Sequence, residues 1–212
     1  MIKLNKKIKR LGIMLVISSP SGAGKTTLAR KLISEDNDIE LSISVTTRKP
    51  RKLEKNNEDY VFVSKKTFEV MVKKNMFLEH AEVFGNRYGT SKESAIKKLK
   101  AGKDILFDID WQGTQELKEK EPKNLVSVFI LPPSTKELEK RLLKRAQDSS
   151  QEVKKRMSEA TSEITHWAEY DYVIINDDLK ETLDKLKSIL VAERLRRTRQ
   201  TGLNSFVRKV IS

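Results

Sequence analysis

Cysteine is absent from this 212-residue chain, which excludes disulfides and thiolate metal sites and suits a reducing compartment. Histidine is nearly absent as well: His80 and His166 are the only two, too few for a histidine-based metal centre. No apolar run nears the roughly 18 residues of a membrane span, and the longest, Leu11 to Ile17, has the length of a strand. There is no internal repeat, no low-complexity stretch and no Pro/Gly/Ser-rich linker between the halves. The opening residues mix Lys and Arg with an apolar segment too short for a secretory signal, so a cytoplasmic protein without a membrane partner is expected.

Charged residues make up 34% of the chain and apolar ones 37%, proportions that suit one domain with a well-solvated surface. The net charge of +13 invites a nucleic-acid reading, so its distribution matters. Met1 to Arg10 contributes +5 and Glu193 to Ser212 another +5, which leaves only +3 for the body. Basic ends on a near-neutral body read as solvated tails and not as a groove for a phosphate backbone. Nucleic acid is therefore not an expected partner, and monomer and homo-oligomer stay equally open.

Four apolar, β-branched runs read as buried strands: Ile13 to Ser18, Ile105 to Ile109, Leu125 to Leu131 and Tyr172 to Ile175. Helical spacing marks Lys25 to Ser34, Trp111 to Lys120, Ser134 to Ala146, Val153 to Trp167 and Leu179 to Leu195. Strand alternating with helix implies an α/β fold with a parallel sheet and right-handed crossovers. Leu41 to Thr90 breaks the rhythm and reads as short strands around one helix near Lys65 to Lys74, a small sheet inserted in the core. Gln147 to Gln151 is polar and small between two helices, as a hinge or lid tip would be.

Between the first strand and first helix lies Ser18-Ser19-Pro20-Ser21-Gly22-Ala23-Gly24-Lys25-Thr26-Thr27, the context a phosphate-binding P-loop requires. Gly22 and Gly24 allow backbone conformations that turn consecutive N–H groups toward phosphate oxygens. The helix N-terminus adds its positive dipole end. Lys25 supplies a point charge for the outer phosphates, and the Thr26 hydroxyl can ligate Mg²⁺. The general pattern opens with glycine where this chain has Ser19, which fits if its φ is negative.

Further blocks follow in order: Ser44-Val45-Thr46-Thr47-Arg48-Lys49-Pro50-Arg51, Glu58-Asp59-Tyr60, Phe77-Leu78-Glu79 and Tyr88-Gly89-Thr90. After them come Ile105 to Gly113 with Asp108 and Asp110, then Arg141, Arg145, Arg156 and Ile175-Asn176-Asp177. Together with the P-loop they resemble the guanylate kinase family in its bacterial form, from about Met14 to Arg196. The resemblance implies a P-loop nucleoside-monophosphate kinase fold: a central parallel sheet flanked by helices, an inserted GMP-binding sheet region at 44–91 and a helical lid at 144–157. Residues 1–10 would be a basic extension of a single domain spanning 11–212.

It also implies transfer of the γ-phosphoryl of ATP to GMP, and to dGMP, with Mg²⁺. ATP would lie on residues 19–27 (Ser19, Pro20, Ser21, Gly22, Ala23, Gly24, Lys25, Thr26, Thr27), with Asn176 and Asp177 against adenine. Guanine presents N–H donors at N1 and N2, for which a carboxylate is the natural partner, and the family position matches Glu79. Ser44 and Thr90 would add hydroxyls, Asp108 would reach the guanine side, and Arg48, Arg51, Tyr60, Tyr88 and Gly89 would surround the GMP phosphate. Lys25, Arg141, Arg145 and Arg156 would neutralise transition-state charge, while Thr26 and Asp110 would serve Mg²⁺. His80, Trp111, His166 and Trp167 are assigned to packing. Two rivals are an inactive guanylate-kinase-like binding module and a basic nucleic-acid-binding protein; retention of Lys25, Thr26, Arg48 and Arg51 speaks against the first.

Overall fold

The computed structural model describes residues 8–52, 54–83, 85–145 and 150–212, with the side chains at 83, 144, 145 and 150–155 outside that description. In chain order the elements are β1 (Met14–Ser18), α1 (Lys25–Glu35), β2 (Ile39–Leu41), β3 (Ser44–Thr46), β4 (Val61–Phe62), α2 (Lys65–Lys73), β5 (Phe77–Val83), β6 (Asn86–Ser91) and α3 (Lys92–Lys100). There follow β7 (Asp104–Phe107), α4 (Trp111–Lys120), β8 (Leu125–Leu131), α5 (Thr135–Arg145), α6 (Ser150–Ile164), β9 (Tyr172–Ile175), α7 (Leu179–Leu195) and α8 (Leu203–Val210).

Five strands form one parallel sheet in the order β2-β7-β1-β8-β9. Every residue of β1 is buried, because helices cover both faces. Leu15 and Ile17 point to the layer of α1 and α7, where they meet Leu28, Leu32, Leu186 and Leu190. Met14 and Val16 point to the other layer, with Leu99, Phe107, Leu117 and Phe129. Each such fully buried side chain contributes about 1.5–3 kcal/mol, and the two-sided pattern fixes the β1 register.

The second sheet has the order β4-β3-β6-β5 and is built entirely from residues of the 44–91 segment. Its own small core is Val45, Phe68 and Phe77, with the two rings stacked at 4.6 Å. Opposite Thr90 the ladder slips by one: Phe77 pairs Ser91 and His80 pairs Gly89, so Leu78 and Glu79 share one partner. This β-bulge sends Leu78 into the main core while Glu79 stays beside Thr90.

Most helices begin as the sequence reading expects. The α3 and α8 helices escaped it: α3 buries only Ala95 and Leu99, and α8 is about two turns long and buries no residue, although Leu203, Phe206, Val207 and Val210 line one face. Strand β7 stops at Phe107, two residues short of expectation, because Asp110 caps α4 by accepting the Gly113 amide at 3.0 Å. The expected lid tip around Gln147 lies mostly outside the described residues, and so does the side chain of Arg145.

The expectation of solvated basic tails needs correction. Arg10 and Arg194 converge on Asp104, which is fully buried at the start of β7, at 2.5 and 2.7 Å, and the Ile13 amide donates to the same carboxylate at 2.9 Å. Arg194 also reaches Asp36, while the buried Arg199 pairs with Glu193 at 3.0 Å. Backbone bonds from Leu11 to Arg199 and from Gly202 to Lys9, both 2.8 Å, tie the two ends together. Part of the terminal charge is thus a clasp beneath the sheet, because the ion pairs and backbone bonds supply partners that composition cannot reveal. Removing Asp104 strands two arginines against a buried site, so Asp104→Ala should cost about 3 kcal/mol or more in urea unfolding; a loss below about 1 kcal/mol would mean that the clasp is idle.

Candidate active site

The loop after β1 is shaped for an anion. Gly22 and Gly24 have φ of +91° and +103°, the left-handed region that glycine favours. Among the described residues the non-glycine positive φ values belong to Asn57 and Asn75, so Ser19 sits where serine is unstrained. Side chains cap α2, α3, α4, α5 and α7: Ser64, Ser91, Asp110, Ser134 and Asp178 each accept an amide of the first turn. The N-cap of α1 is Gly24, and no side chain closes that end. Its amides are left for a ligand.

Three neighbours hold this loop in place. Leu138 and Leu142 of α5 lie under Gly22, close enough that an added Cβ would meet both at 3.1 Å. The Asn176 carboxamide donates to the Ala23 carbonyl at 2.6 Å, and an added Cβ on Gly24 would lie 2.5 Å from the same nitrogen. Asn176, expected against adenine, therefore commits this donor to the loop; Asp177 beside it is exposed. Arg141 donates to the Asn176 carbonyl at 3.2 Å and to Glu137 at 3.0 Å, which ties α5 to the end of β9. Arg156 is half-buried on α6.

Carboxylates meet the groups expected to hold phosphates. Lys25 Nζ lies 2.6 Å from Asp108 Oδ1. The Ser21 amide donates to Glu163 Oε2 at 3.1 Å. In the second sheet region, Arg48 Nη2 donates to Glu54 Oε1 at 2.7 Å while the Arg51 amide donates to Oε2 at 2.8 Å. That contact raises the Arg48 pKa further and lowers that of Glu54. The Arg48 guanidinium also lies 5.2 Å from the Tyr60 ring centroid, and Tyr60 meets Tyr88 edge-on at 6.1 Å. The Arg51 side chain is exposed. Sequence reading missed Glu54 and Glu163. Glu54 was visible three residues after Arg51, whereas no local signal marks Glu163, whose contact spans 142 residues.

Glu79 is the buried acid of the site, 4% exposed. Burial pushes its carboxyl up to about 7, against a hydrogen bond from Thr90 that lowers it, and Glu116 and Asp110 push it further up. Thr90 donates at 2.7 Å, with Ser42 at 3.3 Å from Thr90 and Ser44 opposite Thr90 in the ladder. Gly89 is needed for close approach, since a Cβ there would lie 3.0 Å from Phe77. Asp110 gives Oδ1 to the α4 cap and keeps its second oxygen outside that bond. Among the described residues no group of three or more His, Asp and Glu could by itself hold a metal. Trp111 stacks on His166 at 3.7 Å, in keeping with packing, while Trp167 is 50% exposed.

The family model described as "Guanylate kinase" matches residues 12–193. A guanylate kinase of Nitrobacter winogradskyi is 54% identical over 96% of this chain and 93% of its own length. One from Novosphingobium aromaticivorans is 55% identical over 95% and 91%, respectively. Among solved structures, guanylate kinase from Anaplasma phagocytophilum superposes with a TM-score of 0.73 at 39% identity, covering 95% of this chain and 96% of that one.

The buried Glu79 makes a test that needs no ligand. Its folded pKa of about 7 lies above the ordinary 4.5, so the shift adds stability at low pH that is lost as pH rises through 7. Glu79→Gln removes this dependence. From pH 5 to pH 8 the variant should gain on the wild type by roughly 2–3 kcal/mol in urea unfolding; a gap that stays flat across this range would mean that Glu79 is not desolvated.

Proposed function

This chain belongs to the guanylate kinase family and transfers the γ-phosphoryl group of ATP to GMP, and on that premise we propose how its residues divide the reaction. The observation that carries the division is a pair of anion seats, the open N-terminus of α1 and the Arg48–Arg51 loop, with a buried carboxyl at the β5 bulge. ATP phosphates lie on the loop from Ser19 to Thr27, with Lys25 against the outer ones. GMP lies against the second sheet, its phosphate held by Arg48, Arg51, Tyr60 and Tyr88 beside Gly89. Guanidinium forks match phosphate oxygens in pairs.

Glu79 reads guanine by accepting from N1–H and N2–H₂, with Ser44, Thr90 and Asp108 as further partners. Adenine lacks these adjacent donors, and a buried carboxylate left unpaired makes AMP a poor acceptor. Every group named here reads base or phosphate and none the sugar, so dGMP is a second acceptor.

The nucleophile is a phosphate oxygen with a second pKa of about 6, already ionised at pH 7, so no general base is required. The residues instead align the two phosphates and offset charge spreading over the equatorial oxygens. Lys25 does so from the loop and Arg141, Arg145 and Arg156 from α5 and α6. Thr26 and Asp110 would hold Mg²⁺, which takes hard oxygen donors and few protein ligands and would supply charge neutralisation for the transferring phosphates. Water is kept from ATP by closure of the second sheet and the 144–157 segment when both nucleotides are present. The cysteine-free composition suits the cytoplasm, and among the described residues no helix is long and apolar enough to cross a membrane.

The deciding experiment is a coupled ADP-release assay with ATP and each of AMP, GMP, CMP, UMP and dTMP. GMP should be the preferred acceptor, and turnover confined to AMP or UMP would overturn the assignment. Lys25→Ala should lower kcat on the order of 10²- to 10³-fold with GMP binding largely kept. Glu79→Gln should weaken GMP at least about tenfold. Wild-type GMP affinity should fall as pH drops through about 7, a feature that the Gln variant loses while the titration of the GMP phosphate itself remains. Unchanged GMP affinity in Glu79→Gln would reassign the base reader.

A further inference from the structure

Glu163, near the C-terminal end of α6, has no part in the roles assigned above. Its Oε2 accepts the Ser21 amide at 3.1 Å. The half-buried carboxyl is pushed up by burial, pulled down by the Ser21 amide and Lys25, and pushed up by Asp110 and Glu159, so it feels the charges of the proposed phosphate site. The same helix carries Arg156 seven residues earlier, two turns along one face. Glu163 therefore joins the phosphate loop to the helix that bears one of the arginines proposed to serve phosphoryl transfer.

Ser21 stands upstream of Gly24, at the rim of the loop, whereas α1 begins at Lys25. In a P-loop the amides cradle the α- and β-phosphates, and the lysine reaches the β and γ groups. A carboxylate that accepts the rim amide and lies in the field of Lys25 stands where a terminal phosphate would be drawn. Two anions cannot share that space without strong repulsion in a partly dehydrated site.

We propose that Glu163 is a positioning residue that latches α6 onto the empty phosphate loop and is ejected by the terminal phosphate of a nucleoside triphosphate, while a diphosphate leaves it in place. Release of α6, and of the Arg156 that it carries, is thereby tied to arrival of the phosphoryl donor. This rests on the reading of residues 19–27 as the triphosphate seat. The latch lowers apparent affinity for the triphosphate, because only the unlatched fraction binds it.

The test is isothermal titration of the full chain with ATP and with ADP, without GMP. In Glu163→Gln, which keeps the volume and removes the charge, ATP should bind about three- to tenfold tighter and ADP within about twofold of wild type. Glu163→Ala, which removes the contact as well, should show the same selective gain and serves if the first variant unfolds. Parallel changes for ATP and ADP, weaker ATP binding or no change in either would overturn the latch, since a merely structural contact does not discriminate between the nucleotides. A wild-type chain that bound no ATP would refute the phosphate seat itself, and the latch with it.

Discussion

A phosphate seat has to keep cations and N–H groups aimed into one small volume even when no phosphate is there. Left alone, like charges repel and helix-end amides seek other partners. Here the protein supplies its own anions: Asp108 to Lys25, Glu54 to Arg48 and the Arg51 amide, and Glu163 to the Ser21 amide. Each is a carboxylate whose oxygens can imitate two of a phosphate's. On the proposed roles, the side chains are thus held near their working positions, and a ligand would replace contacts more than create them.

The scaffold meets this demand with rigid supports. The loop is packed on Leu138 and Leu142 and bonded through Ala23 to Asn176. Far from that end, Asp104 gathers Arg10 and Arg194 beneath the sheet. The two ion clusters differ in kind. Asp104 is fully buried between its partners, so it serves stability, whereas on the proposed roles the carboxylates of the site let go. Glu79 sits between these cases, because burial raises its pKa to about 7, a cost that the proposed guanine contact would relieve.

Much of this was legible in the sequence. Strand β8 and helices α4 and α7 coincide with their apolar patterns, and the parallel sheet agrees with the likeness to a solved guanylate kinase. Gly22, Gly24 and Lys25 between strand and helix were readable as an anion seat from spacing alone. Glu79, by contrast, came from resemblance, since nothing in Met76-Phe77-Leu78-Glu79 announces the bulge that lets Leu78 and Glu79 serve different cores. Long-range partners were invisible: the Glu163 contact crosses 142 residues, and composition made tails of Arg10, Arg194 and Arg199, which the fold pairs. Asn176 was assigned to adenine through the resemblance, and the bond from its amide to the loop was not legible.

On the proposed roles, the protein's own carboxylates hold the places of phosphates. A crystal structure with GMP and a non-hydrolysable ATP analogue tests it most directly. In that complex Lys25 should leave Asp108 for the triphosphate and Arg48 should turn from Glu54 to the GMP phosphate, with the purine edge on Glu79. Both ion pairs intact, with the phosphates bound elsewhere, would contradict it.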